Sequence, residues 1–223
     1  MSHFKVMVIG SNPESQLEPF NENLEIPRYV EYTKEELIAK GKKEIEEYAK
    51  GTYAKYLADK KAYKKKCNNK WHLNYLEKEF PLKLKWTDEE IYSDQLVCYD
   101  SEDIGADGEV YSDYNPNSKW DWYSLGGRWS GDITLKEGKK GVCGRSGVFN
   151  NKVGIDSALK GDIANFEELI PFAVLKDGKW YEKGKMGWWA VVSDEKDNWN
   201  DEFLKLVKDL PDDTLISMYD CHI

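Results

Sequence analysis

The chain reads as an α+β protein with a largely antiparallel sheet, its elements running strand, helix, strands, helix, strand. Three observations carry that reading. Apolar, β-rich runs stand near both ends, HFKVMVI at 3–9 and TLISMYDCH at 214–222. Helical patterns opened by capping boxes follow the first run. Asp177-Gly178 separates two short strand patterns, the strongest hairpin signal in the chain. Strands and helices mix without βαβ regularity, and no internal repeat occurs. The expected arrangement is a ferredoxin-like core with the first and last strands in one sheet. Residues 1–223 are expected to form one domain, with a helical arm, 33–85, inserted in it.

Each element has its own warrant. His3 to Ile9 is stopped by Gly10-Ser11-Asn12-Pro13 and should be a central strand. Residues 15–32 read as irregular, because Pro19 and Pro27 break any helix. Thr33-Lys34-Glu35-Glu36 is a capping box that opens a helix to about Lys66, with Leu37, Ile38, Ile45, Tyr48, Tyr53, Tyr56 and Tyr63 on its stripe. Five lysines between Lys60 and Lys66 read as a solvated helix end, with an anion-binding patch as the alternative. Trp71 to Phe80 continues the helical pattern, and Thr87-Asp88-Glu89-Glu90 opens another helix to about Tyr99. Asp100 to Asp113 is an acidic, Gly-containing loop. It fails as a calcium loop, because Gly105 and Tyr114 fall where oxygen ligands are required. Asp132 to Leu135 is expected as a strand, 142–154 as a Gly-rich loop and Phe166 to Ile170 as a short helix. The hairpin strands are Phe172 to Leu175 and Lys179 to Glu182, followed by a strand at Gly187 to Val192. Asn198 to Leu210 presents Phe203, Leu206, Val207 and Leu210 on one helical face before Pro211 ends it.

Bulk properties narrow the function classes. A net charge of −9 repels nucleic-acid backbones, so general nucleic-acid binding is not expected. The same charge suits occupation of a basic groove on another protein. The longest apolar run, Val6 to Ile9, is far too short to span a bilayer, and no signal-peptide pattern stands at the N-terminus. The four cysteines, Cys67, Cys98, Cys143 and Cys221, form no C-x-x-C pair. Four free thiols and a cytoplasmic location are therefore expected. No cofactor or metal is expected.

The densest chemistry lies between Asn115 and Gly131, NPNSKWDWYSLGGRWSG. Trp120, Trp122, Tyr123 and Trp129 offer stacking faces. Gly126 and Gly127 permit positive φ and an anion-binding nest of amides, and Arg128 adds a planar donor fork. Together they form a candidate site for a nucleotide-like ligand. The competing reading is a Trp-lined corner in which Arg128 pairs with Asp121. Two of the three histidines flank the presumed sheet, His3 at its first strand and His222 at its last. If those strands are antiparallel neighbours, the two imidazoles meet. With Asp121, His3 and His222 then form a candidate set for acid–base work or for holding a metal; the competing reading is two exposed terminal histidines.

The opening SHFKVMVIG, the central NPNSKWDWYSLGGRW, the later PFAVLKDGKWYEKGKMGWW and the closing DCHI resemble a family of uncharacterised reading frames common in bacteriophages and prophages. The resemblance covers both ends and the middle of the chain. It implies a phage protein working in the bacterial host cytoplasm, and by association a counter-defence or other accessory role. It brings no activity. Three functions follow in order of expectation. The first is an accessory binding protein that sequesters a nucleotide-like molecule or blocks a host protein through the Trp/Gly-Gly-Arg segment. The second is a hydrolase or nucleotide-processing enzyme using His3, Asp121, Arg128 and His222. The third is a structural phage component.

Overall fold

The computed structural model describes residues 2–144, 154–187 and 191–223. The chain separates into two compact units, Met1–Ile26 with Tyr114–Ile223, and Pro27–Asp113. In chain order the elements are β1 (His3–Ile9), α1 (Pro13–Leu17), β2 (Tyr29–Tyr32), α2 (Lys34–Tyr48), α3 (Ala54–Ala58), α4 (Lys60–Lys66), α5 (Lys70–Asn74), α6 (Phe80–Lys83), α7 (Asp88–Leu96) and β3 (Val110–Ser112). There follow β4 (Trp122–Leu125), β5 (Ser157–Leu159), β6 (Ala173–Lys176), β7 (Lys179–Glu182), β8 (Lys185–Met186), β9 (Val192–Ser193), α8 (Trp199–Lys208) and β10 (Leu215–His222).

The first unit is built on one mixed, mostly antiparallel sheet in the order β4-β10-β1-β6-β7, with β5 also on β10. The fold is α+β. β1 and β10 are antiparallel neighbours, His3 opposite His222 and Ile9 opposite Ile216. Side chains alternate across a strand, and here that alternation makes two cores. Met7, Ile9, Val174, Ile216 and Met218 face α8, whose Trp199, Phe203 and Val207 bury the helical stripe seen in the sequence. Phe4, Val6, Val8, Ala173, Leu175, Tyr219 and Cys221 face the other way, onto Leu17 and Trp120. With both faces covered, β10 is buried at every position from Ile216 to His222. The hairpin forms as expected: Asp177 and Gly178 have φ of 52° and 71°, the mirror-image turn that matches strand twist.

The expected ferredoxin-like core does not form. That arrangement splits its βαβ unit, keeping another strand between the two parallel ones. Here β1 and β6 are direct parallel neighbours, Val6 opposite Ala173. Three local expectations also change. Residues 13–17 are helical, because Pro13 stands in the first turn, where its missing N–H costs nothing. Residues 132–135 make no strand, only an isolated bridge from Leu135 to Ile163. Residues 166–170 form a turn, not a helix. Of the strand expected at 187–192, residues 188–190 lie outside the described residues, and Val192 pairs with Met186.

The second unit contains residues 33–85, folded mainly as short helices. Both capping boxes form, with Thr33 and Thr87 hydroxyls accepting from the Glu36 and Glu90 amides while the two carboxylates accept in return. The long helix is broken at Asp59, whose extended backbone ends α3 and whose side chain caps α4. Leu37, Tyr92 and Val110 are its small core, with β2 and β3 paired beside them. Among the described residues no helix is long and apolar enough to cross a membrane.

All four cysteines are free. Cys98 and Cys143 are exposed, whereas Cys221 is buried and its thiol is pushed well above the ordinary range by desolvation. A disulfide-exchange reagent should therefore react promptly with Cys98 and Cys143, and with Cys221 only on unfolding. A total of four thiols in denaturant checks the count.

Candidate functional site

The sheet face that carries the α8 core changes character at one end. Continuing Ile9 and Met7 by twos along β1 leads to Lys5 and His3. Continuing Ile216 and Met218 along β10 leads to Asp220 and His222. β4 adds Trp122 opposite His222 and Ser124 opposite Asp220. The period-2 rule thus places a polar cluster on the same face as an apolar core.

Two His–Asp pairs form in that cluster. His3 Nδ1 lies 2.9 Å from Asp220 Oδ1, and His222 Nδ1 lies 2.7 Å from Asp121 Oδ1. An ionised carboxylate only accepts, so each Nδ1 carries a proton; in a neutral ring that leaves the lone pair on Nε2. The two rings are neighbours, with centroids 5.0 Å apart and planes at 71°. Trp122 stacks on His222 at 5.4 Å and 16°, and meets His3 edge-on at 5.3 Å. His222 Nε2 is buried with no hydrogen-bond partner among the described residues. A buried polar atom without a partner is costly; among the described residues Gln16 Oε1 and the Tyr48 hydroxyl share that state, away from this cluster. Lys5 Nζ, beside the pairs on β1, is held 3.0 Å from Asp132.

The Gly-Gly-Arg loop contributes differently from the nest read in the sequence. The amides of Gly126 and Gly127 donate to the Met218 and Leu125 carbonyls, and those of Trp129 and Ser130 to the Gly126 and Gly127 carbonyls. The Arg128 amide donates to Asp220 Oδ2 at 3.0 Å, and the Gly131 amide to Asp156 Oδ1 at 2.9 Å. No amide from Gly126 to Gly131 is left for a ligand. The anions that this loop cradles are the protein's own carboxylates. Asp156 is fully buried and also accepts from the Ser130 hydroxyl and the Gly144 amide. The glycines are required by contact: a Cβ on Gly126 would lie 2.4 Å from the Asp156 carboxyl carbon, and one on Gly127 2.3 Å from Asp220 Cβ.

The structure therefore divides the residues singled out in the sequence. His3, Asp121, His222 and Trp122 come together. Gly127 packs against Asp220, which holds His3, while Gly126 packs against Asp156, which ties the loop to Ser130, Gly131 and Gly144. Trp120 and Tyr123 point to the opposite face. Trp120 is buried there and donates its indole N–H to the Leu17 carbonyl, and Tyr123 packs edge-on against it. The groove beside them is lined by Glu14 and Glu18, an unsuitable wall for an anion. Arg128 is exposed and Trp129 half-buried, and the carboxylate once expected to pair with Arg128, Asp121, holds His222 instead. Sequence reasoning missed Asp156 and the part played by Asp220. The signal for Asp220 was its place two residues from His222, on the same strand face. Among the described residues no group of three or more His, Cys, Asp or Glu is arranged to hold a metal ion. Comparison with protein-family models, with curated proteins and with solved structures gave no match, so the functional reading rests on this geometry.

Proposed function

We propose that this protein is an enzyme that performs general acid–base chemistry on a nucleotide-like phosphoester, with the pairs His3–Asp220 and His222–Asp121 as its proton carriers. One observation carries the reading: two imidazoles in contact, each with its Nδ1 proton held by a separate carboxylate and one with its Nε2 unpartnered among the described residues. With one ring neutral and the other entering the cycle as imidazolium, the neutral Nε2 can take a proton from an attacking hydroxyl while the imidazolium gives its Nε2 proton to the leaving oxygen. Asp220 and Asp121 orient the rings and stabilise whichever becomes imidazolium. Trp122, 42 % exposed, lies flat on His222, where a planar base could replace or extend the stack. This puts the second of the three expected functions ahead of sequestration. The resemblance to phage and prophage reading frames supports an accessory, counter-defence setting in the host cytoplasm.

The test is turnover of ribonucleotide phosphodiesters, using cyclic mononucleotides, cyclic dinucleotides and short oligoribonucleotides resolved by chromatography, with and without added divalent cation. His3→Ala and His222→Ala should each lower the rate by about 10²–10⁴-fold. Tight calorimetric binding with no product from the native protein would reject turnover in favour of sequestration. Activity unchanged in both variants would remove the histidines from the chemistry.

A further inference from the structure

The net charge of −9 conceals a local reversal. Between positions 50 and 85 the chain carries eleven lysines and three acidic residues, Asp59, Glu77 and Glu79. The structure folds this stretch into a hairpin of short helices. The Tyr63 hydroxyl meets His72 Nε2 at 3.1 Å, the Tyr56 hydroxyl donates to Glu77 at 3.3 Å, and Lys64 pairs with Glu77. These contacts set α4 beside α5 and the turn after it. Of the five α4 lysines, only Lys64 has a carboxylate partner among the described residues. Lys60 stands over the Tyr56 ring, and Lys61, Lys65 and Lys66 are exposed.

A second, independent feature stands on the same hairpin. Trp71, at the start of α5, is 67 % exposed and lies parallel to Tyr75, with centroids 5.7 Å apart and planes at 11°. Tyr75 supports one face of the indole, so the exposed area lies on the other. A half-covered aromatic plate on the same hairpin as uncompensated lysines matches the two needs of an unpaired nucleotide strand, a cation for the phosphate and a flat surface for the base.

We propose that the α4–α5 hairpin binds single-stranded nucleic acid, its lysines holding phosphates and Trp71 stacking on a base. This site is separate from the His–Asp cluster and does not depend on the function proposed for it. A duplex keeps its bases stacked on each other and offers no face to Trp71. The overall negative charge does not forbid the contact, because charges beyond about 8 Å are screened at physiological ionic strength. The expectation against nucleic-acid binding followed from the whole-chain charge, which averages this patch away.

Fluorescence anisotropy with a labelled single-stranded oligonucleotide tests the proposal, with the duplex of the same sequence, polyphosphate and polyglutamate as competitors. The single strand should bind more tightly than any competitor. Trp71→Ala should weaken it about tenfold, a stacking contribution of one base, while Trp71→Phe keeps most of the affinity. The triple variant K61E/K65E/K66E should lose detectable binding at physiological salt, and Lys61→Ala alone should reduce the salt slope by roughly 0.7. All four changes are at exposed positions, so unchanged thermal melting serves as the folding control. Absence of single-strand binding overturns the proposal. So does equal competition by polyphosphate together with an unaffected Trp71→Ala, which would mean simple polyanion attraction. Preferential competition by polyglutamate overturns it in favour of an acidic protein partner.

Discussion

Gly127→Ala is expected to destabilise the sheet-bearing unit by roughly 3–5 kcal/mol, a large loss for a single methyl group. Two effects add. Gly127 has a φ of 52°, where a side chain costs about 1–2 kcal/mol. The new Cβ would also lie 2.3 Å from Asp220 Cβ and 2.6 Å from Asp220 Oδ2, so the carboxylate must move. Moving it stretches the bonds it accepts from His3 and from the Arg128 amide, and hydrogen bonds to charged groups contribute about 1.5–3 kcal/mol each. Chemical denaturation followed by near-ultraviolet circular dichroism would measure the loss. Gly138→Ala is the control: its φ is 75°, but a Cβ there meets nothing within 4 Å, so it should show the backbone cost alone. Equal losses in the two variants would mean that contact with Asp220 contributes nothing.

That loop shows where sequence reading succeeds and where it stops. Elements with a local physical signature were legible. The capping boxes at Thr33 and Thr87, the Asp177-Gly178 turn and the amphipathic α8 follow from short-range rules about caps, periods and turns. The meeting of His3 and His222 was legible too, because antiparallel pairing of two terminal strands brings their outer ends together. Elements fixed by distant partners were not. β2 and β3 are four and three residues long and exist through each other, so neither carries a pattern of its own. The glycines at 126 and 127 suggested a nest of their own amides, but those amides donate to backbone carbonyls; nothing nearby in sequence says that the carboxylates packed against them are Asp156 and Asp220, 30 and 93 positions onward. Trp120 and Trp122 look equivalent in the string WDW. They face opposite sides of the sheet edge, so one anchors a core and the other covers an imidazole. The parallel pairing of β1 with β6 depends on which hairpin strand reaches β1 first, which no local pattern encodes.

Asp220→Asn is expected to reverse the tautomer of His3 and, with it, to lower turnover by about 10²–10⁴-fold if His3 carries protons in the reaction. Both oxygens of Asp220 face donors: Oδ1 accepts from His3 Nδ1 and Oδ2 from the Arg128 amide. Asparagine replaces one acceptor by an NH₂ group, so one of those donors must lose its partner. The backbone amide has no alternative state. The imidazole has one, since it can carry its proton on Nε2 and accept at Nδ1 from the new NH₂ group. The asparagine oxygen should therefore stay on the Arg128 amide, and His3 should switch. The fold should survive with a cost of roughly 1–3 kcal/mol, because the Arg128 amide and His3 Nδ1 each keep a partner at position 220 and charge assistance is lost there. Long-range ¹⁵N–¹H correlation of the ring nitrogens reads the tautomer directly, and the phosphodiester assay reads the rate. An unswitched ring would contradict the hydrogen-bond arrangement on which the site is built. A switched ring with undiminished turnover would remove His3 from the chemistry and leave His222–Asp121 as the only proton carrier of the pair.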